Sequence, residues 1–267
     1  MSPTSSSALP GALWALAHGR HALPHDLLGQ HLEDDGLRVR VMRPMAQQVR
    51  VRFDDGVEID LEHEAEGIFS GVREGADATF DYRVLTTWDD GVEHVQDDPY
   101  RFSPTLGEVD QHLVNEGRHE QLWTVLGAHV RSYDGPMGTV EGVSFAVWAP
   151  RAKAVHVIGD VNGWDLTSLP MRALGSSGIW ELFVPGAQAG QRYKFAVRGA
   201  DDVVREKADP MARLAEVAPA TGSVITTSEY TWGDQKWLTA RAGRDPHTGP
   251  MSIYEVHLGG WRHGLSY

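Results

Sequence analysis

At 267 residues the chain is long enough for two domains, each with its own core. It contains no cysteine, which rules out disulfides, thiolate metal sites and a cysteine nucleophile and fits a reducing, cytoplasmic setting. A formal charge of -13 argues against nucleic acid or an anionic membrane as the main partner. Nine tryptophans against seven phenylalanines fit a neutral ligand with flat, partly apolar faces, such as a sugar ring.

The first apolar run, Ala8 to Ala17, has the composition of a signal-peptide core, but no Lys or Arg precedes it and Pro10-Gly11 interrupts it. No run reaches the roughly 20 apolar residues of a membrane span. His18, His21, His25 and His31 follow at loosely metal-like spacing, without the carboxylates that would complete a site, so no metal or other cofactor is expected. Next comes "LRVRVMRPMAQQVRV" (Leu37 to Val51), two alternating strands around a proline corner. The acidic stretches "EDDG" and "FDDGVEIDLEHEAE" read as hairpin turns and a solvated strand face rather than a calcium cluster. "EVDQHLVNEGRHEQLWTVL" (Glu108 to Leu126) places Leu122, Trp123 and Leu126 at helical spacing and reads as a helical connector broken at Gly117.

Beyond the connector the pattern returns. "VSFAVWAPRAKAVHV" (Val143 to Val157) repeats Leu37 to Val51 at a shift of 106, with Pro150 matching Pro44. Further on the shift is 111: "GIWELF" from Gly178 matches "GIFSGV" from Gly67, Tyr193 matches Tyr82, and Asp209-Pro210 matches Asp98-Pro99. A loop insertion accounts for the drift of five residues. Short alternating strands separated by Gly, Pro and Asp turns are the pattern of a β-sandwich, and its duplication predicts two in tandem. Residues 240 to 250 read as a turn-rich linker, and Ser252 to Leu258 as one further, buried strand.

"LGAHV", "GVSFAVWAP", "GDVNGWD", "GIWELFVPG", "YKFAV", "KADP" and "SIYEVHLGGW", in this order between Leu126 and Trp261, resemble bacterial glycogen branching enzymes of glycoside hydrolase family 13. Residues 126 to 210 resemble a carbohydrate-binding module of family 48. That resemblance implies a mainly β fold. Two immunoglobulin-like sandwiches are expected, one in residues 1–105 and one in residues 106–239 with the connector helix. The first strand of a truncated (β/α)8 barrel would follow in 240–267. It also implies a full-length monomeric, cytoplasmic glycosyltransferase that moves α-1,4-glucan segments onto 6-hydroxyls in glycogen synthesis, with α-glucan as its partner. A retaining mechanism on two carboxylates belongs to barrel strands beyond the first, so no catalytic residue is expected here and the fragment is expected to be inactive. Two alternatives stay open at this point: a stand-alone α-glucan-binding module, or the N-terminal part of a related debranching or trehalose-releasing glycosidase.

The resemblance carries two carbohydrate-binding candidates, Trp164 and Lys194, which match sugar-binding positions of the related glycogen-binding module of AMP-activated kinase. A second Trp of that module has no counterpart near "RGADDV". Trp164 either stacks on a glucose ring or packs against a neighbouring domain. Lys194, between Tyr193 and Phe195, points away from the face those rings bury and reads as solvated. Trp180 reads as core. Glu255 and His257 read as polar residues of the barrel interior or rim, alternatively as support for its active site, and Trp261 as a packing or cleft-lining residue.

Overall fold

The computed structural model describes residues 9–245, 247–262 and 264. It divides into two compact units, Met1–Thr227 and Ser228–Tyr267.

The first unit opens with helix α1 (Leu9–Ala17), with Pro10 in its first turn, where a missing N–H costs nothing. Seven strands follow: β1 (Gly29–Glu33), β2 (Gly36–Met42), β3 (Gln48–Phe53), β4 (Glu58–Ala65), β5 (Ile68–Glu74), β6 (Tyr82–Thr87) and β7 (Glu93–Gln96). They form one antiparallel sheet in the order β1-β2-β5-β4-β3-β6-β7. β4 pairs with β3 through Ile59 and Leu61, then passes a bulge between His63 and Ala65 where it pairs with β5. The sheet curls at that bulge and closes over Leu37, Val39, Val41, Val49, Val51, Phe53, Tyr82 and Val84.

Helix α2 (Glu108–Asn115) and a short 3-10 turn at Leu122–Thr124 connect to the second set, with Gly117 between them in the left-handed region at φ 66°. There β8 (Gly127–Gly135), β9 (Gly138–Trp148), β11 (Arg172–Ala173) and β12 (Ile179–Pro185) make a four-stranded sheet. Facing it are β10 (Ala154–Gly159), β13 (Arg192–Arg198), β14 (Val204–Lys207), β15 (Leu214–Ala215) and β16 (Ser223–Val224). Phe145 of β9 meets Tyr193 of β13 edge-on, ring centroids 5.0 Å apart, across the layer between them. Trp180 is buried in the same layer and donates its indole N–H to the Ala149 carbonyl. The fold is thus mainly β, in curled and facing antiparallel sheets of the sandwich kind.

The repeat is visible atom by atom. Tyr82 donates its hydroxyl to buried Asp98 at 2.5 Å, and Tyr193 does the same to Asp209 at 2.6 Å. Each aspartate also accepts the backbone N–H two residues on, from Tyr100 and from Met211. Burial raises the carboxyls of Asp98 and Asp209 above the usual range, and raises the two phenols as well. Gly67 and Gly178 stand at φ 78° and 74°, where a Cβ would lie 2.9 Å from Pro44 Cα and 2.7 Å from Pro150 Cβ. The proline corners of the two copies therefore fix glycine at the same place.

One apolar core runs from the second set of strands into the first. Val143, Phe145, Val157, Tyr193 and Phe195 share it with Leu13 and Leu16 of α1 and with Met42, Ile68 and Tyr100. Polar links reinforce this junction. Arg83 donates to the Met137 carbonyl at 3.0 Å, Asp81 accepts the Met137 N–H at 3.1 Å, and Arg172 donates to the Phe102 carbonyl at 3.1 Å.

The second unit holds helices α3 (Gln235–Ala242) and α4 (Leu258–Trp261). The strand expected over Ser252 to Leu258 is not formed. Met251–His257 has no regular structure, Leu258 opens the one-turn α4, and Ile253, Tyr254 and Val256 are exposed. The physical reason is pairing, since a strand needs a hydrogen-bonded neighbour for its backbone and cover for an apolar face such as Tyr254, Val256 and Leu258, and among the described residues this segment has neither. Glu255, His257 and Trp261 are likewise exposed here. The end of the expected barrel loop, at His263 and 265–267, lies outside the described residues.

Candidate functional site

The candidate site is the loop that leaves β10 at Gly159 and returns along its edge to β11. A 3-10 turn, Asp160–Asn162, starts it. Gly163 and Trp164 then both take left-handed backbone, at φ 62° and 65°. For glycine this is free; for tryptophan it is a strained conformation that its surroundings must impose.

Several hydrogen bonds impose it. Asn162 is the hub: the carbonyls of Val157 and Asp165 and the Ser168 hydroxyl lie 2.9–3.2 Å from its amide nitrogen and share its two N–H groups, and its oxygen accepts the Gly159 N–H at 3.0 Å. Asp165 accepts from the N–H and hydroxyl of Thr167 and from the Ser168 N–H. The Trp164 N–H returns to the Gly159 carbonyl at 2.9 Å. Its indole N–H donates to Asp160 Oδ1 at 3.2 Å, and the ring is half-buried.

Asp160 is in turn gripped by Arg192 at the start of β13. It accepts from the Arg192 backbone N–H and Nε at 2.9 Å each, and from a terminal guanidinium nitrogen at 2.8 Å. These charge-assisted bonds hold its carboxyl down to about 2.

Lys194 sits two residues along β13, opposite Ile158 of β10 and on the face away from Tyr193 and Phe195. It is more buried than a solvated lysine, with 18% of its side chain exposed and its Nζ 3.5 Å from Glu206 of β14. The structure thus places Trp164 and Lys194 at the same end of one strand pair, though no hydrogen bond joins them. Asp160, Arg192 and Asn162 escaped sequence reasoning. An Asn-Gly before the Trp was the only signal of the tight turn, and nothing in one chain marks Arg192 as the partner of Asp160.

The N-terminal histidines do not converge. His18 stacks on Trp14 at 4.3 Å, His21 accepts the Leu23 N–H, and His25 lies edge-on to Tyr100 at 5.1 Å. Among the described residues, no three His, Asp or Glu side chains stand where they could hold a metal ion. Among them, too, no helix is long and apolar enough to cross a membrane.

Residues 125–212, which take in the Trp164 loop and Lys194, match the family model described as Carbohydrate-binding module 48 (Isoamylase N-terminal domain). Residues 10–100 match alpha-1,4-glucan branching enzyme GlgB, N-terminal domain. Similar curated proteins are the 1,4-alpha-glucan branching enzymes GlgB of Thermobifida fusca and Rhodococcus jostii. The first is 54% identical over 98% of this chain and 35% of its own length, the second 53% over 94% and 34%. That of Mycobacterium tuberculosis is 50% identical over 97% of this chain and 35% of its own. Over nearly its whole length the chain is similar to the N-terminal region of GlgB branching enzymes, and it spans about a third of the length of these relatives. Among solved structures, a pullulanase type I from Bacillus subtilis complexed with maltose covers 76% of this chain and 27% of its own at 17% identity. Its TM-score is 0.33.

Proposed function

We propose that this chain is the non-catalytic N-terminal region of a cytoplasmic, monomeric 1,4-α-glucan branching enzyme. The whole enzyme cleaves α-1,4-glucan and transfers the segment to a 6-hydroxyl, and these residues contact its α-glucan substrate. The observation that carries the reading is identity above half, over nearly the whole chain, to the N-terminal third of GlgB enzymes. The composition agrees: an acidic, cysteine-free chain suits a neutral polysaccharide. Within the second set of strands, Trp164 is the stacking platform and Lys194 a flanking donor to sugar hydroxyls. A strained, hydrogen-bonded tryptophan supports this, because backbone strain is retained where a side chain must be aimed. The exposed apolar side chains of Ile253, Tyr254 and Val256 support a further reading, that Ser252–Leu258 becomes the first barrel strand once neighbouring strands pair with it.

The activity test uses the full-length enzyme with amylose. Branching lowers iodine staining while producing little reducing sugar; a rise in reducing ends matching the loss of stain would overturn the reading in favour of a hydrolase. The present 267 residues alone are expected to leave the stain unchanged.

A further inference from the structure

One difference between the two copies lies in the connection that follows β3 and β10. Residues 54–67 separate β3 from β5, whereas 160–178, five more, separate β10 from β12. The insertion is the Trp164 loop. At the shifts that align the repeats, the partners of that loop also differ in kind: Asp160 matches Asp54, and Arg192 matches Asp81. Where the first copy has two acids, which cannot pair, the second has an acid and an arginine.

The first copy spends these residues elsewhere. Asp54 meets Asp81 only through a backbone bond, 3.0 Å from N–H to carbonyl, and the Asp81 carboxylate turns to Arg101 and the Met137 N–H. In the second copy, three donors of Arg192 converge on Asp160, which leaves Oδ1 facing the Trp164 indole N–H. Behind Arg192, a second carboxylate, Glu216, lies 3.7 Å from its guanidinium and is itself fixed by accepting the Gly222 N–H at 2.8 Å. The chain Glu216, Arg192, Asp160, Trp164 therefore runs from the β15–β16 end of the sheet to the ring.

We propose that Arg192 is a positioning residue for α-glucan binding, acting through Asp160 to hold the Trp164 indole in the orientation on which a sugar ring stacks. This rests on the reading of Trp164 as the platform. A planar fork suits the task, because only a guanidinium engages both carboxylate oxygens at once while the backbone N–H beside it takes a third bond. The Asp160 carboxylate remains ionised throughout the working pH range, so the grip does not switch with pH.

The test is affinity electrophoresis of the intact protein through gels containing glycogen, with Arg192→Gln, Arg192→Lys, Trp164→Ala and the Arg192→Gln/Trp164→Ala double variant. Trp164→Ala is expected to weaken retention about fivefold, the worth of one stacked ring. Arg192→Gln should lose most of the same factor, Arg192→Lys an intermediate part of it, and the double variant no more than Trp164→Ala alone, because a residue acting through the ring has nothing left to position. If Trp164→Ala weakens binding and Arg192→Gln does not, the platform stands and the positioning role falls. If the losses multiply in the double variant, Arg192 acts independently of the ring and the proposal is again wrong. If Trp164→Ala runs like wild type, the platform reading itself fails. A readout free of ligand accompanies these: in protein labelled with 5-fluorotryptophan, the 19F resonance missing from Trp164→Ala should shift or broaden in Arg192→Gln, and an unmoved resonance overturns the clamp.

Discussion

β3 and β10 hold the same place in the two copies, and so do β5 and β12, yet their burial differs. In β3, Val49, Val51 and Phe53 are buried while Arg50 and Arg52 face outward, paired with Glu58. In β10 all six residues are buried, and the position matching Arg50 is His156, 3% exposed, with its ring against Gly19. In β5 burial fades after Phe69, whereas β12 is buried from Ile179 to Val184. The cause is cover. The segment after α1 lies over the outer side of β10 and β13, where Arg198 binds the carbonyls of His18 and Gly19. The connector lies over the other sheet, where Leu106, Leu122 and Val125 pack on Ile179, and Thr105 and Arg172 bind the fully buried Glu181. One duplicated pattern thus yields a sheet wet on one side and a sandwich sheathed on both, and the sheath comes from outside the repeat.

The most disruptive way to break this contrast is to loosen the sheath. Leu16→Ala, at a fully buried position in α1, should cost about 2–4 kcal/mol by urea denaturation. It should also speed amide exchange in β10 while leaving β3 unchanged; equal exchange in both strands would show that α1 is not what protects β10. Next come the matched tyrosines. Tyr82→Phe and Tyr193→Phe each leave a buried carboxylate short of a donor and should each destabilise by about 1–3 kcal/mol. Costs that differ by more than about 2 kcal/mol would mean the copies are alike in geometry but not in energetics.

Acid sharpens the contrast further. Burial lowers His156 to about 4, with Arg198 nearby acting in the same sense. Below its ordinary value near 6.5 the unfolded chain therefore binds a proton that the folded chain refuses, and stability falls as pH drops from about 6.5 toward 4. The loss from this one group should reach roughly 1 kcal/mol by pH 5.5. Thermal melts of His156→Gln should show a flatter slope over that interval; a slope equal to wild type would remove His156 from the account. The smallest effect is on the wet side. Arg50→Ala breaks exposed pairs with Glu58 and Glu93 and should be nearly neutral, with any cost vanishing at about 0.5 M salt.

The duplication, the proline corners and the tyrosine–aspartate matches were legible in the sequence because each is a local pattern recurring at a fixed shift. What covers the sheets was not. Leu9–Ala17 reads as an interrupted apolar run, and only its docking shows that Leu13 and Leu16 belong to a core built by residues more than a hundred positions away. The Trp164 turn was legible from Asn-Gly, but its grip by Arg192 depends on the β10–β13 ladder, which places Gly159 opposite Tyr193. For Ser252–Leu258 the apolar pattern is real, and the segment nevertheless lacks strand structure, since pattern decides which side chains a strand would bury and pairing decides whether there is a strand at all.

The sheath also sets where this polypeptide can be trimmed. A piece cut to residues 125–212, the stretch that matches a recognised module, would discard the segment after α1, Phe102 and most of the connector, and so uncover His156, Phe183 and Ile179. Such a fragment would be sticky and poorly soluble. A piece that begins before Leu9 and runs through Thr227 keeps the wrapping together with what it wraps, and it is the smallest portion in which the proposed Trp164 platform should be studied on its own.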